Sequence, residues 1–447
     1  MTNRASALLL LMHCVYVGGA DDRLSSSAAF AGHRKRWPAP PVEVDHRVFP
    51  GLAHMDGNWA ALFVGSDGKV YVGLAYHGGD GRLVYYDPKT DAMHDSGPLT
   101  ELCGEHLFRR GPQAKIHTKF GEGRDGRIYF ATHYGNDFNF ARYATKAWYP
   151  GAHFMSFDPA ARRVIDFGLG VPWQGMVTGA YDPVFHRIYG ITDPRGHFVY
   201  YDIAARRLTD KGRINNWESL CRTLGIDDAG NVYGSFGRGQ IFRYDPRRDE
   251  VRELSLRLPI RDKGVSLGRD YNKSETSWRV VVWDQETKKF YGVEESASTL
   301  FSFDPKAGAE GVIRRLGQLA IPGFEDRRDV PYPTLSLTLG RDRKLYYAAA
   351  GREFDYSGSA GLAASHLIRY DPATGSEEDL GEMRLRDGRR VIGTNSAHTG
   401  ADGAIYFAGA IEVRTEAGKP LEAAGQIGTA YYRLALILFQ PEKSPGR

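Results

Sequence analysis

The sequence predicts an all-β chain folded as a seven-bladed β-propeller, its ring closed by an N-terminal strand. Three observations carry this. First, aromatic residues make up 12% of the 447, with 25 Tyr and 22 Phe beside 53 Gly. Strand formers mixed with turn formers suit short strands and tight turns. Second, a turn (often Asp-Gly), one variable residue, an apolar residue and a tyrosine recur seven times, ending at Tyr71, Tyr129, Tyr189, Tyr233, Tyr291, Tyr346 and Tyr406. Third, alternating apolar residues running into an aromatic and Asp, usually Pro, follow in six copies: Leu83 to Pro88, Phe154 to Pro159, Phe198 to Asp202, Ile241 to Pro246, Leu300 to Pro305 and Leu367 to Pro372.

Each unit therefore reads strand, Asp-Gly turn, strand, loop, strand, Asp-Pro turn, strand. Four strands in each of seven units make a propeller, because a blade buries its faces only against its neighbours. The seventh unit has strands near 391–399, 404–411 and 430–438 and lacks an outermost one. Glu43 to Phe49 is expected to supply it, closing the ring and hiding two edges. The alternative is a pair of smaller stacked β-domains, which the even spacing of the repeats disfavours. A helical period is confined to short pieces such as Pro98 to His106.

Residues 1–20 read as a secretory leader: Arg4, then an apolar run from Ala7 to Val17, then the small residues Gly18, Gly19 and Ala20. Cys14 follows His13, which does not suit a lipid anchor. Residues 21–40 read as a flexible lead-in and 41–447 as the propeller. The apolar run is too short to span a bilayer and no second one follows, so a soluble, periplasmic or extracellular protein without membrane contact is expected. The net charge of +4, from 58 basic and 54 acidic residues, argues against a nucleic-acid partner. Three cysteines exclude a disulfide scaffold, although Cys103 and Cys221 have the compartment in which to pair. Nothing in the sequence calls for more than a monomer.

Candidate site residues are those that break the repeat. The tyrosine after the Asp-Gly turn occurs in every copy, so it is a packing residue. Blade two departs most. Its first strand reads Lys115-Ile116-His117-Thr118-Lys119, and its second runs from Ile128 to His133 and Tyr134. At the position of His117 the other blades carry Trp59, Val177, Cys221, Arg279, Thr334 and Thr394. One buried histidine is usually a satisfied core residue. Two converging on the rim where innermost strands begin and second strands end point to a site. Tyr181 shares the strand parity of His117 and is expected to face the channel. Arg195, in the loop after the second strand of blade three, is expected on the same rim. The long insert Tyr134 to Pro150 carries Asn136, Tyr143, Trp148 and Tyr149, a composition suited to stacking on sugars. Arg279 is a further cation for the channel, with Arg222 and Arg238 behind it. His197 and Cys221 are the metal candidates, without a ligand-spacing motif. His153, His197 and His366 share one repeat position, which favours a structural role.

Two histidines, a tyrosine and an arginine without paired carboxylates disfavour ordinary glycoside hydrolysis, and no nucleophile elbow or phosphate loop is evident. The set suits β-elimination beside a uronate. A cation neutralises the carboxylate, a base takes the proton alpha to it, and an acid protonates the leaving oxygen; His and Tyr can serve as base and acid. That chemistry needs no cofactor.

The stretch Lys115-Ile116-His117-Thr118, the following Asp-Gly-Arg-Ile-Tyr-Phe-Ala-Thr-His-Tyr, and the downstream Tyr and Arg resemble the seven-bladed propeller polysaccharide lyases of the ulvan lyase type. The resemblance covers the ring architecture and is specific over residues 115–197. It implies an anionic, uronate-containing polysaccharide as partner, His117 and His133 as the family's histidines, Tyr181 as acid/base and Arg195 as the carboxylate-neutralising arginine. Some members hold a structural metal, which keeps His197 and Cys221 as candidates for zinc or calcium. A non-catalytic glycan-binding propeller and a propeller glycoside or lactone hydrolase are the alternatives.

Overall fold

The computed structural model describes residues 39–105, 111–135, 149–214, 221–236, 239–259, 277–295, 298–321, 334–350, 365–416, 419–420, 422–427 and 430–441. The leader, all but the last two residues of the lead-in, Asn136, Tyr143, Trp148 and Arg238 lie outside them.

The chain is a seven-bladed all-β propeller. Blade three is the regular unit: Gly175–Asp182, Arg187–Asp193, His197–Asp202 and Arg207–Arg213 pair antiparallel in sequence order. Ring closure is as expected. Val42–Val48 pairs antiparallel with Ala430–Phe439 of blade seven, Asp45 opposite Leu438, and so becomes that blade's outermost strand. The same strand also runs parallel to Glu377–Leu385 of blade six, Val42 opposite Met383, so blades six and seven share one sheet. The single described helix is the short Leu99–Leu102.

The repeated residues explain themselves physically. In the Asp-Gly turns the Asp carboxylate accepts the backbone N–H two residues on and the tyrosine hydroxyl four residues on. Asp67 does so from Lys69 at 3.0 Å and Tyr71 at 2.8 Å, and Asp125 from Arg127 at 3.2 Å and Tyr129 at 2.8 Å. Tyr71, Tyr129, Tyr189 and Tyr346 are fully buried. Each ring's apolar body packs between blades while most of their hydroxyls bond back to the turn. The Asp-Pro turns work similarly: Asp87 caps Lys89 N and Asp371 caps Ala373 N.

A third repeat lies in the outer strands. His153 pairs with Asp166, His197 with Asp210 and His366 with Asp379, at 2.9, 2.8 and 2.9 Å. Each Asp also accepts from a glycine two residues later, Gly168, Gly212 or Gly381. These glycines have φ of +108°, +88° and +113°, conformations that demand a residue without Cβ. The three histidines thus hold a bulge in the outer strand, as their common repeat position suggests.

Candidate functional site

The site begins with an irregularity in blade two. Lys115–Ile116 pairs with the end of Ile128–His133, Lys115 opposite His133, whereas Gly121–Glu122 pairs with its start. Two extra residues are therefore held in the inner strand. Thr118 fills the gap: its Oγ1 accepts from Ala131 N at 2.9 Å and donates to Ala131 O at 3.2 Å. The hydroxyl stands in for the backbone ladder, and His117 is released from the sheet plane. The same place is bulged in blade three, between Met176 and Thr178, and in blade five, between Trp278 and Val280. His117, Val177 and Arg279 are thus bulge residues, and a bulge re-aims its side chain.

His117 and His133 meet, with ring centroids 5.5 Å apart. Trp59 of blade one stacks on His117 at 5.9 Å, and Tyr134 lies against His133 at 4.2 Å. The Lys115 ammonium sits 4.9 Å over the Trp59 ring. On the far side His133 fills the space above Gly175, where a Cβ would come within 2.0 Å of its Nδ1. Gly175 pairs with Asp193, which brings that carboxyl to the same mouth.

The electrostatics are those of buried imidazoles packed beside cationic side chains. His117 and His133 are only 5% and 4% exposed, and the Nδ1 of each has no hydrogen-bond partner among the described residues. Burial holds the His117 imidazole well below its ordinary value, reinforced by the charges of Lys115, Arg222 and Arg279. His133 is held down by burial and by Lys115, His117, Arg222 and His77. Both rings are therefore neutral near pH 7. Burial pushes the Asp193 carboxyl up to about 6, against the pull of Arg222 and Lys115.

Sequence reasoning missed His77. Its Nδ1 meets Asp56 Oδ1 at 2.8 Å, and its backbone N–H donates to Asp56 Oδ2 at 3.0 Å. Its ring lies edge-on to Trp59 at 5.0 Å, so Trp59 separates two imidazoles. The available signal was position: His77 lies two residues past Ala75, the counterpart of His133. Arg222, a weaker candidate in the sequence, joins Lys115 and Arg279 as the charges acting on His117.

Several expected residues fall elsewhere. Tyr181 does not face the channel mouth. It is six residues along its strand from Gly175, about 20 Å at strand rise. There its ring stacks on Tyr129 at 4.3 Å, and its hydroxyl meets His186 Nδ1 at 2.6 Å. Gly121, its counterpart in blade two, is what makes room for it: a Cβ there would lie 2.9 Å from that of Tyr181. Strand parity with His117 did not fix where Tyr181 lies, since the strand carries a register shift between Met176 and Thr178. Arg195 is on the expected rim and exposed, and among the described residues only its backbone N–H is engaged, by Gln174 Oε1 at 3.3 Å. Tyr149 is buried and donates to Gln113 Oε1 at 2.9 Å, so it is not a stacking platform at the surface. Tyr134 is 8% exposed, and Asn136 lies outside the described residues. Arg279 reaches Glu295 at 3.4 Å.

His197 and Cys221, the metal candidates, fall in no group of three or more close metal-capable ligands among the described residues. His197 Nδ1 meets Asp210 at 2.8 Å, and Cys221 is a buried free thiol. Cys103 is also free, so the two cysteines are not paired.

No family model matches the sequence, and neither does any curated protein. Solved propellers match by shape. The WD40 repeats of RRP9 align with a TM-score of 0.52 and 11% identity, covering 90% of this chain and 99% of that one. The periplasmic gluconolactonase PpgL of Pseudomonas aeruginosa aligns with a TM-score of 0.50 and 14% identity, covering 82% and 98%. The chain spans 39% of the extracellular domain of the hybrid two component system BT4673 of B. thetaiotaomicron, at a TM-score of 0.48 and 12% identity. At these identities the likeness is one of fold. No helix among the described residues is long and apolar enough to cross a membrane.

Proposed function

We propose that this chain is a secreted lyase that cleaves an anionic, uronate-containing polysaccharide of the ulvan type by β-elimination. One observation carries the reading: two neutral imidazoles with unengaged Nδ1 atoms lie among Lys115, Arg222 and Arg279 at one mouth of the propeller. Neutral imidazole is the form a base requires, and clustered cations are what a sugar carboxylate requires.

The cations take the uronate carboxylate and stabilise the charge that develops on it. His117 or His133 removes the proton alpha to the carboxylate. The electron pair forms a carbon–carbon double bond as the β carbon–oxygen bond breaks. The leaving oxygen takes a proton, and no water is consumed. Asp193, with its carboxyl held near 6, is equipped to return that proton, the role first sought in Tyr181. The imidazoles are nearly enclosed, so substrate reaches them by displacing the flanking rings of Trp59 and Tyr134. The residues 1–20 leader, a free monomer and action without a cofactor belong to the same proposal.

The experiment is a panel of uronate-containing polymers incubated with the purified protein and read by ultraviolet absorbance of the new double bond. Growth of that absorbance on at least one anionic polymer supports the lyase. Chelator-sensitive hydrolysis without absorbance would favour a glycoside or lactone hydrolase. Binding without turnover would favour a glycan binder.

A further inference from the structure

A second group of chemically capable side chains lies away from the histidine mouth, where the chain crosses from blade one to blade two. Cys103 and Glu105 follow the short helix Leu99–Leu102, and His153 opens the third strand of blade two. One ligand atom from each, the thiol sulfur, a carboxylate oxygen and an imidazole nitrogen, lies within 4.8 Å of the other two. All three residues are at least nine-tenths buried, at 8%, 9% and 4% exposure. From these we infer a zinc site formed by Cys103, Glu105 and His153.

The surroundings are those of an oriented ligand set. His153 is one of three histidines holding the outer-strand bulges, so Asp166 fixes its Nδ1 at 2.9 Å. That directs Nε2 inward, where it meets Glu105 Oε1 at 3.1 Å. A carboxylate on the far nitrogen of a zinc-bound histidine is the usual supporting contact. The other Glu105 oxygen accepts from Gln113 Nε2 at 3.2 Å, and Gln113 is itself held by Gly151 O, Thr132 and Tyr149. The comparison with the other bulges is informative. His197 and His366 keep the Asp partner, but no cysteine and carboxylate gather on their inner nitrogen among the described residues. Among the described residues, His153 alone of the three has such ligands added beside it.

The donor chemistry selects the ion. Thiolate, imidazole and carboxylate together suit zinc, whereas calcium takes oxygen ligands. A thiolate and a carboxylate balance the charge of a divalent ion, and three protein ligands leave one tetrahedral position for water. Bound there, zinc would pin Cys103 and Glu105, at the end of the short helix, to the third strand of blade two.

The test uses the full-length purified chain, stripped with chelator and titrated with zinc alone, and separately with cobalt as a spectroscopic probe. One zinc per chain is expected, with a thiolate-to-cobalt charge-transfer band that Cys103→Ser abolishes and Cys221→Ser leaves intact. Asp166→Asn, which keeps every ligand, should weaken zinc affinity about 10- to 100-fold. Circular dichroism confirms that each variant is folded. Failure of the stripped wild type to take up zinc, or an unchanged cobalt band in folded Cys103→Ser, overturns the assignment.

Discussion

The rings of His117 and His133 lie 5.5 Å apart at 69° to one another, although sixteen positions separate them in the chain. The contact exists because Lys115 pairs with His133 and the two-residue bulge then turns His117 toward that same end. Burial and the charges of Lys115 and Arg222 hold both imidazoles well below their ordinary value.

Thr118 is the residue on which this geometry depends. Its hydroxyl replaces a backbone partner for Ala131 in a fully buried setting. Thr118→Val keeps the shape and removes the bonds, which should cost about 1–3 kcal/mol. Chemical denaturation should read that loss, and activity should fall further than stability as His117 is misplaced. An unchanged denaturation midpoint would show that the bulge is held by other means.

The cations should act on binding. Arg222→Ala and Arg279→Ala are each expected to raise KM for an anionic polymer by roughly 10- to 100-fold, the worth of about 1.5–3 kcal/mol for a charged hydrogen bond. Arg195→Ala, whose side chain is exposed, should change KM far less. Steady-state kinetics on the three variants separate these roles.

Tyr181→Phe should leave kcat within about twofold, because the phenol sits at the other end of its strand and bonds to His186. A loss of two orders of magnitude would restore Tyr181 to the reaction.

His398 gives a pH signature for stability. Burial and then Lys119 lower its pKa from 6.5 to about 4, and its Nδ1 accepts from Val64 N at 3.3 Å. The unfolded chain takes up a proton near 6.5, the folded one only near 4, so this contribution is intact above 6.5 and is lost as pH falls through that window. Asp182 and Asp193, both raised to about 6 by burial, act in the opposite sense, losing their contribution as pH rises from about 3.8 to 6. The clean reading is therefore a difference. His398→Gln, which keeps an acceptor, should gain thermal stability relative to the wild type as pH drops from 6.5 to 4, whereas parallel curves would contradict the burial of a neutral ring.

Much of the fold was legible because repeats report packing directly. The tyrosines after the turns and the missing strand of blade seven each appear where the periodicity puts them. The two histidines were legible for the converse reason, as departures from the repeat at one rim. Tyr181 was not, because alternation fixes the face of a strand residue and says nothing of its distance along the strand. The place of Arg279 beside His117 was hard to read because it sits in a bulge between Trp278 and Val280, and a bulge leaves little trace in composition. Cys103, Glu105 and His153 were never grouped, since 48 residues separate Glu105 from His153 and only the crossing between blades unites them.

The most direct measurement is the initial rate of double-bond absorbance on a uronate polymer for the wild type beside His117→Ala and His133→Ala, each verified as folded. Neutral imidazoles acting on the acidic proton require at least one variant to lose roughly 10²- to 10⁴-fold, with binding of the polymer largely retained. Wild-type rates in both variants would remove the imidazoles from the chemistry.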